Sequence, residues 1–266
     1  MFDLRTGMSI ELEDVTEQTF ADCRKFGIYS IDVGLSKRFS TDSYVRKLED
    51  AVKQANEYGV HIRCIHLPYG QGWDISENFD FQRKAAVQAH LEIIKRCDET
   101  VKPVYYVLHP STEPIEPDMR QTHLAHAHES LTVLSANVNN LLIENLPRDC
   151  LANTSDELIR LLKPFPNLSV CCDLNHLLQE TPQAALRKLG SRVKHLHVSD
   201  NDGTNEKHWL PGDGIIDWVE VLRALRDIGY DGVFNYEVRK YSPEEIAANK
   251  EKIFMKAAET IFELAK

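Results

Sequence analysis

The chain has 266 residues, enough to bury a large core in a single domain spanning 1–266 without disulfide or metal staples. With 41 acidic against 31 basic residues its formal net charge is -10, which disfavours a nucleic-acid backbone or an anionic membrane as partner and suits a small molecule. The six cysteines show no C-x-x-C spacing, the N-terminus MFDLRTGMSIELEDV lacks the apolar run of a signal peptide, and no segment approaches a membrane span. These features predict buried thiols in a reducing compartment and a cytoplasmic protein.

Short apolar runs alternate with longer segments of helical period, the pattern of βα units on a parallel sheet. In chain order, strands are predicted at 6–10, 30–35, 60–67, 104–109, 141–145, 168–174, 193–199 and 232–238. Apolar residues at three- and four-residue spacing predict amphipathic helices over 41–58, 79–100, 118–138 and 156–162, and a last helix over about 243–264. Gly27 and Gly59 stand where helices end, while Thr154 or Ser155, Thr181 and Ser242 precede helical patterns, the last two followed by Pro182 and Pro243. Eight such units predict an α/β fold, a single (β/α)8 TIM barrel. An open doubly wound sheet would place a glycine-rich phosphate loop after the first strand, where this chain has Glu11, Glu13 and Asp14.

Buried barrel strands should read as nearly continuous apolar sequence, so the polar residues at their ends are informative. Strand three ends CIHLP at His66, strand four YYVLHPS at His109, strand five LLIEN at Glu144 and strand six VCCDLNH at Asp173, with His176 beyond. Strand seven, KHLHVSD, carries His195, His197 and Asp200, and strand eight ends FNYEV at Glu237. In this fold the C-terminal strand ends meet in one mouth, and side-chain alternation turns Glu144, Asp173, His197 and Glu237 to the same side as Leu142, Cys171, His195 and Asn235. Three carboxylates crowded together repel unless protonated or bridged by a cation. Glu144, Asp173, His197 and Glu237 are therefore expected to hold one divalent metal, the oxygen-rich set suiting Mn2+ or Mg2+, with Co2+ or Zn2+ also accommodated.

After strand seven, DNDGTNEKHWLPGDGIIDW brings Glu206 and His208 ahead of a turn at Pro211, Gly212 and Gly214, a candidate lid or ligand arm over the mouth, or else a solvated turn. Tyr69, Gly70 and Trp73 follow His66, where Trp73 either lines a sugar pocket or packs the loop on the barrel rim. His123, His126 and His128 fall on an outer helix and are read as its solvated face. No lysine or arginine cluster is evident near the mouth, which favours unphosphorylated substrates.

The strand-seven segment KHLHVSDNDGTNEKHWLPGDGIIDW, with IEN before it and YEV after it, resembles the sugar phosphate isomerase/epimerase superfamily of xylose isomerase-like barrels, which includes endonuclease IV. The resemblance implies one Mn2+, Mg2+ or Co2+ on Glu144, Asp173, His197 and Glu237, with Glu144 and Glu237 as an acid/base pair that removes and returns a proton. It implies a keto-sugar or related polyol isomerised or epimerised through a metal-stabilised enediolate, with His66, His109, His176, His208 and Glu206 contacting substrate. Barrels of this group often pair, so a homo-oligomer is expected.

The chain departs from some ketose 3-epimerases: Gly203 stands near an arginine that they carry after strand seven, and Cys150 replaces an acidic residue after strand five. A keto-sugar or keto-inositol dehydratase is one alternative. Another is a multi-zinc phosphodiester hydrolase like endonuclease IV. Ligand types matching that enzyme stand at His66, His109, Glu144, Asp173, His176, His197, His208 and Glu237, with Glu206 where it has Asp. The net charge and the lack of a basic arm argue against the hydrolase.

Overall fold

A computed structural model describes residues 4–35 and 41–263. Eight parallel strands close into a barrel, as predicted: β1 (Arg5–Glu11), β2 (Ser30–Gly34), β3 (His61–His66), β4 (Tyr105–Leu108), β5 (Leu141–Glu144), β6 (Ser169–Asp173), β7 (Val193–His197) and, after a small hairpin of β8 (Asp200–Asn201) and β9 (Glu206–Trp209), β10 (Val233–Tyr236). The strands run in the order β10-β1-β2-β3-β4-β5-β6-β7. Closure comes just past β7, where the Val198 N–H donates to the Asn235 carbonyl at 2.8 Å and the Glu237 N–H donates to the Val198 carbonyl at 3.0 Å.

The helices follow the periodicity in the sequence, and its expected N-caps hold except at Thr181, whose side chain makes no cap hydrogen bond. α2 (Thr41–Tyr58), α3 (Asp80–Thr100), α4 (Arg120–Asn137), α5 (Ser155–Leu162) and α8 (Pro243–Glu263) lie within a residue or two of expectation. Thr154 caps α5 by accepting from the Glu157 N–H at 3.3 Å, and Ser242 with Glu245 forms a reciprocal cap on α8. Gly27 and Gly59 adopt φ of +72° and +68° just past α1 (Glu17–Lys25) and α2, a left-handed turn that glycine enters without a Cβ penalty. The barrel's remaining helices are α1, α6 (Pro182–Leu189) and α7 (Trp218–Asp227), each ten residues or shorter. No helix among the described residues is long and apolar enough to cross a membrane.

The main core lies between the outer face of the strands and the inner face of the helix ring, and all six cysteines are buried. A separate small cluster of Val107, Leu142 and Cys171 shares the strand side that carries Glu144 and Asp173, so it fills the barrel interior beneath the mouth.

The solvated-face reading of α4 is corrected. His123, His126 and His128 are half-buried; Ser76 Oγ lies 3.1 Å from His123 Nδ1, and His128 Nε2–H donates to the Leu161 carbonyl at 3.0 Å. His123 and His128 thus tie α4 to the loop at Ser76 and to α5.

Candidate active site

Three of the four expected metal ligands are the last residues of their strands, Glu144 on β5, Asp173 on β6 and His197 on β7, and Glu237 directly follows β10. Their ligand atoms lie within 4.8 Å of one another. Glu144, Asp173 and His197 are buried, whereas the Glu237 side chain stays 24% exposed towards the mouth. The sheet places them: β6 pairs with β5 and β7 so that Glu144 stands opposite Cys171 and Asp173 opposite His197.

Glu144 is the hub. Its Oε1 lies 3.1 Å from His197 Nδ1, and its Oε2 lies 3.1 Å from His66 Nε2 and 3.2 Å from His109 Nε2. Asn145 locks the neighbouring strand by exchanging two 2.8 Å hydrogen bonds with the Asp173 backbone. Asp173 Oδ1 accepts from the backbone N–H groups of Asn175 and His176, at 2.7 and 3.3 Å. Asp173 Oδ2 has no hydrogen-bond partner among the described residues, although it is buried.

The electrostatics pull the two glutamates apart. Burial works against ionisation of Glu144, but His197 and His109 outweigh it and hold the carboxyl well below the usual carboxylate range. Removal from water pushes Glu237 well above that range, with Asp173 and Glu144 adding to the rise against the pull of His197. Burial also lowers His109 and His208.

This cluster fits a divalent cation. Three carboxyl groups converge on one imidazole, and the buried Asp173 Oδ2 has only a 3.3 Å approach to His176 Nδ1. His66 supplies a further sign: its Nδ1–H donates to the Leu67 carbonyl at 3.0 Å and its Nε2 lies 3.1 Å from Glu144 Oε2, a contact that calls for a proton or a cation between the two atoms.

Above the cluster opens a cavity of about 710 Å³. Of the residues expected to contact substrate, His66, His109, His176, Glu206 and His208 line this cavity and Trp73 does not. Trp73 packs against the core with its ring 5.2 Å from His90, and its carbonyl accepts from His90 Nε2 at 3.0 Å. The aromatic wall is instead Tyr69, stacked on His109 at 4.5 Å, because the turn through Gly70 and Gly72, both at positive φ, separates the two rings. The expectation of no cations at the mouth is also corrected: Arg148, Arg239 and Lys240 all line the cavity, brought there by loops from β5 and β10.

The segment after β7 is neither a free lid nor a solvated turn. It is the antiparallel β8–β9 hairpin, already docked on the mouth. The Lys207 N–H donates to Asn175 Oδ1 at 3.1 Å, Glu206 is paired with Arg148, and His208 Nδ1–H donates to the Glu237 carbonyl at 3.0 Å. His208 takes φ of +52°, an uncommon backbone for a non-glycine residue, and its ring sits 6.1 Å from that of His176. Asp200 organises the rest: Oδ2 accepts from the Gly212 N–H and Trp218 Nε1–H, both at 2.8 Å, and Oδ1 from the Asn201 and Ile216 N–H groups. Gly214 passes so close that a Cβ there would lie 2.1 Å from the Asn201 carbonyl oxygen.

Sequence reasoning missed Asp32, which lies on the cavity floor paired with His195, and Arg148. The signal for Asp32 was present: a lone charge in the middle of SIDVG, a strand buried at its first four positions.

A family profile described as xylose isomerase-like TIM barrel matches residues 20–262. The chain belongs to that family. An uncharacterized protein of Methanocaldococcus jannaschii is 34% identical over 207 residues, which span 73% of this chain and 68% of that protein. Fructoselysine 3-epimerase of Escherichia coli O157:H7 is 34% identical over 89 residues, a match confined to 32% of each chain. Among solved structures, a D-tagatose 3-epimerase-like protein superposes with a TM-score of 0.81 at 22% identity, covering 99% of this chain and 100% of that one. For this xylose isomerase-like barrel, that likeness speaks to the fold.

Proposed function

We propose that this xylose isomerase-like barrel is a divalent-metal-dependent sugar epimerase or isomerase that moves a proton at a carbon next to the carbonyl of a keto-sugar or related polyol. The observation that carries the reading is the convergence of Glu144, Asp173, His197 and Glu237 at the base of a sugar-sized cavity, with Glu144 and Glu237 both lining it. Two carboxyl groups facing one cavity from different strands are what removing and returning a proton requires. The matches to fructoselysine 3-epimerase and, over 84 residues, to a D-psicose 3-epimerase of Enterocloster bolteae support the same class.

A cation on Glu144, Asp173, His197 and Glu237, with Mn2+ favoured by the oxygen-rich set and Mg2+, Co2+ or Zn2+ alternatives, would acidify the C–H beside the carbonyl. Glu144 and Glu237 are the acid/base pair, one removing the substrate proton and the other returning it, with Glu237 facing the mouth. His109, His176 and His208 offer ring nitrogens to sugar hydroxyls, His66 lines the cavity with both of its nitrogens engaged, and Tyr69 covers an apolar face. Arg239 and Lys240 extend the substrate class to sugars with an acidic end, so sugar acids and phosphates belong beside free ketoses in any screen.

A second reading, the multi-zinc phosphodiester hydrolase, draws on Glu144 Oε2, which His66 and His109 approach from the other side as a second potential cation site. Metal content of protein never exposed to chelator separates the two. About one Mn, Mg or Co per chain, with solvent deuterium entering the substrate beside the carbonyl, is the expected result. Two or three zinc ions with phosphodiester cleavage would support the hydrolase, and loss of water from the sugar would indicate a dehydratase. Tight sugar binding with no deuterium exchange would sink the enzymatic reading.

A further inference from the structure

We propose that Asp32, anchored by His195, fixes the His197 imidazole in the tautomer that the metal centre needs, which makes Asp32 a positioning residue for that centre. The inference rests on the metal-dependent reading above and assigns a role to a buried pair that this reading leaves unused. Asp32, His195 and His197 are all almost wholly withdrawn from water, at 1%, 0% and 0% exposure. They do not lie on adjacent strands: β2 reaches β7 only across the barrel interior, since β1 and β10 stand between them at the wall.

The His197 ring has two distinct sides. Nδ1 faces the cluster, 3.1 Å from Glu144 Oε1 and 3.5 Å from Glu237 Oε2. Nε2 faces the barrel floor and has no hydrogen-bond partner among the described residues. An imidazole that offers its Nδ1 lone pair to a cation is neutral and carries its proton on Nε2. That N–H then points into a dry interior and needs an acceptor.

Asp32 Oδ2 lies 3.9 Å from Nε2, about 0.7 Å beyond ordinary hydrogen-bond range, and Asp32 is held in place by its hydrogen bond with His195. The sulfur of Cys171 is also beside His197, but sulfur is a weak acceptor compared with a carboxylate oxygen. Asp32 Oδ1 and His195 Nδ1 are themselves without hydrogen-bond partners among the described residues. An ion pair serving only to fill the interior would gain nothing from aiming a carboxylate at a third ring. A histidine metal ligand generally donates its second N–H to a carboxylate or carbonyl, and removing that partner weakens metal binding about 10- to 100-fold.

The test uses the full chain loaded with Mn2+ for calorimetry and with Zn2+ for ¹⁵N NMR of the histidine rings. Wild type is expected to show His197 bound through Nδ1 with a slowly exchanging Nε2–H. Asp32→Asn, which keeps a weaker acceptor, should lose about tenfold in Mn2+ affinity, and Asp32→Leu, which keeps none, up to about a hundredfold. His195→Gln should fall between wild type and Asp32→Leu, which keeps the idea testable if the leucine variant does not fold. A purely structural role would lower the melting temperature of the metal-free variants and leave Mn2+ affinity within twofold of wild type; that result overturns the proposal. A wild-type protein that binds neither ion would instead bring down the metal-dependent reading itself.

Discussion

The floor of the cavity and the arm that leans over it are built by different means. Glu144, Asp173 and His197 end three neighbouring strands, so ladder hydrogen bonds and a buried setting hold them. Glu206 and His208 sit half-buried on the β8–β9 hairpin, tied to the mouth by one ion pair to Arg148 and by hydrogen bonds to Asn175 and the Glu237 carbonyl. The difference teaches where precision is invested: chemistry at the floor rests on the barrel itself, whereas the arm contributes contacts that a few bonds can release. Substitutions in the two regions should therefore separate, the floor acting on kcat and the arm on KM.

The largest effect is expected from Glu144→Gln and Glu237→Gln. Each should lower deuterium exchange into the substrate by about 10²–10⁴-fold while the protein stays folded. A folded, metal-loaded variant of either with near-wild-type turnover would break the two-glutamate relay. Next is Asp200→Ala, which strands the Ile216 N–H and the Trp218 indole in the interior and frees the exposed turn at Gly212. It should cost about 1–3 kcal/mol in urea denaturation and loosen the arm, raising KM more than it lowers kcat.

A subtler effect concerns Glu237 in metal-free protein. Its carboxyl titrates well above the ordinary range in the folded state, first because it is withdrawn from water. The contribution of such a group is complete at acidic pH and is lost as pH rises from the ordinary carboxylate range through the elevated value. Metal-free Glu237→Gln should therefore lack this loss, and melts compared from acidic to neutral pH should show its advantage over wild type growing with pH. An advantage that shrinks with rising pH would contradict the assignment. The smallest change is expected from Arg148→Ala: its partner Glu206 is part-exposed and Arg148 is about half-exposed, so stability should move by less than about 1 kcal/mol, with the main effect a raised KM.

Much of the floor was legible because it obeys a short-range rule. A strand such as LLIEN stays apolar until its last residues, and in a barrel of parallel strands those last residues share one end. The arm was half legible. DNDGTNEKHWLPGDGIIDW shows its turn residues plainly, yet much of its pattern serves the Asp200 hub, which calls for Gly212, a tight passage at Gly214 and the Trp218 indole. The role of Tyr69 rather than Trp73 was not legible, since the two aromatics lie in one loop and only its turn decides which one faces the cavity.

The sequence by itself determined the alternation of eight strands with helices, and with it the meeting of Glu144, Asp173, His197 and Glu237, because hydrophobic period and strand-end position are local properties. Only the tertiary structure decided that Asp32 meets His195 across 163 residues of chain, that Arg148 reaches Glu206, and that Arg239 and Lys240 border the cavity. Those contacts depend on barrel closure and on loop conformation, which bring together side chains whose pairing no local pattern records.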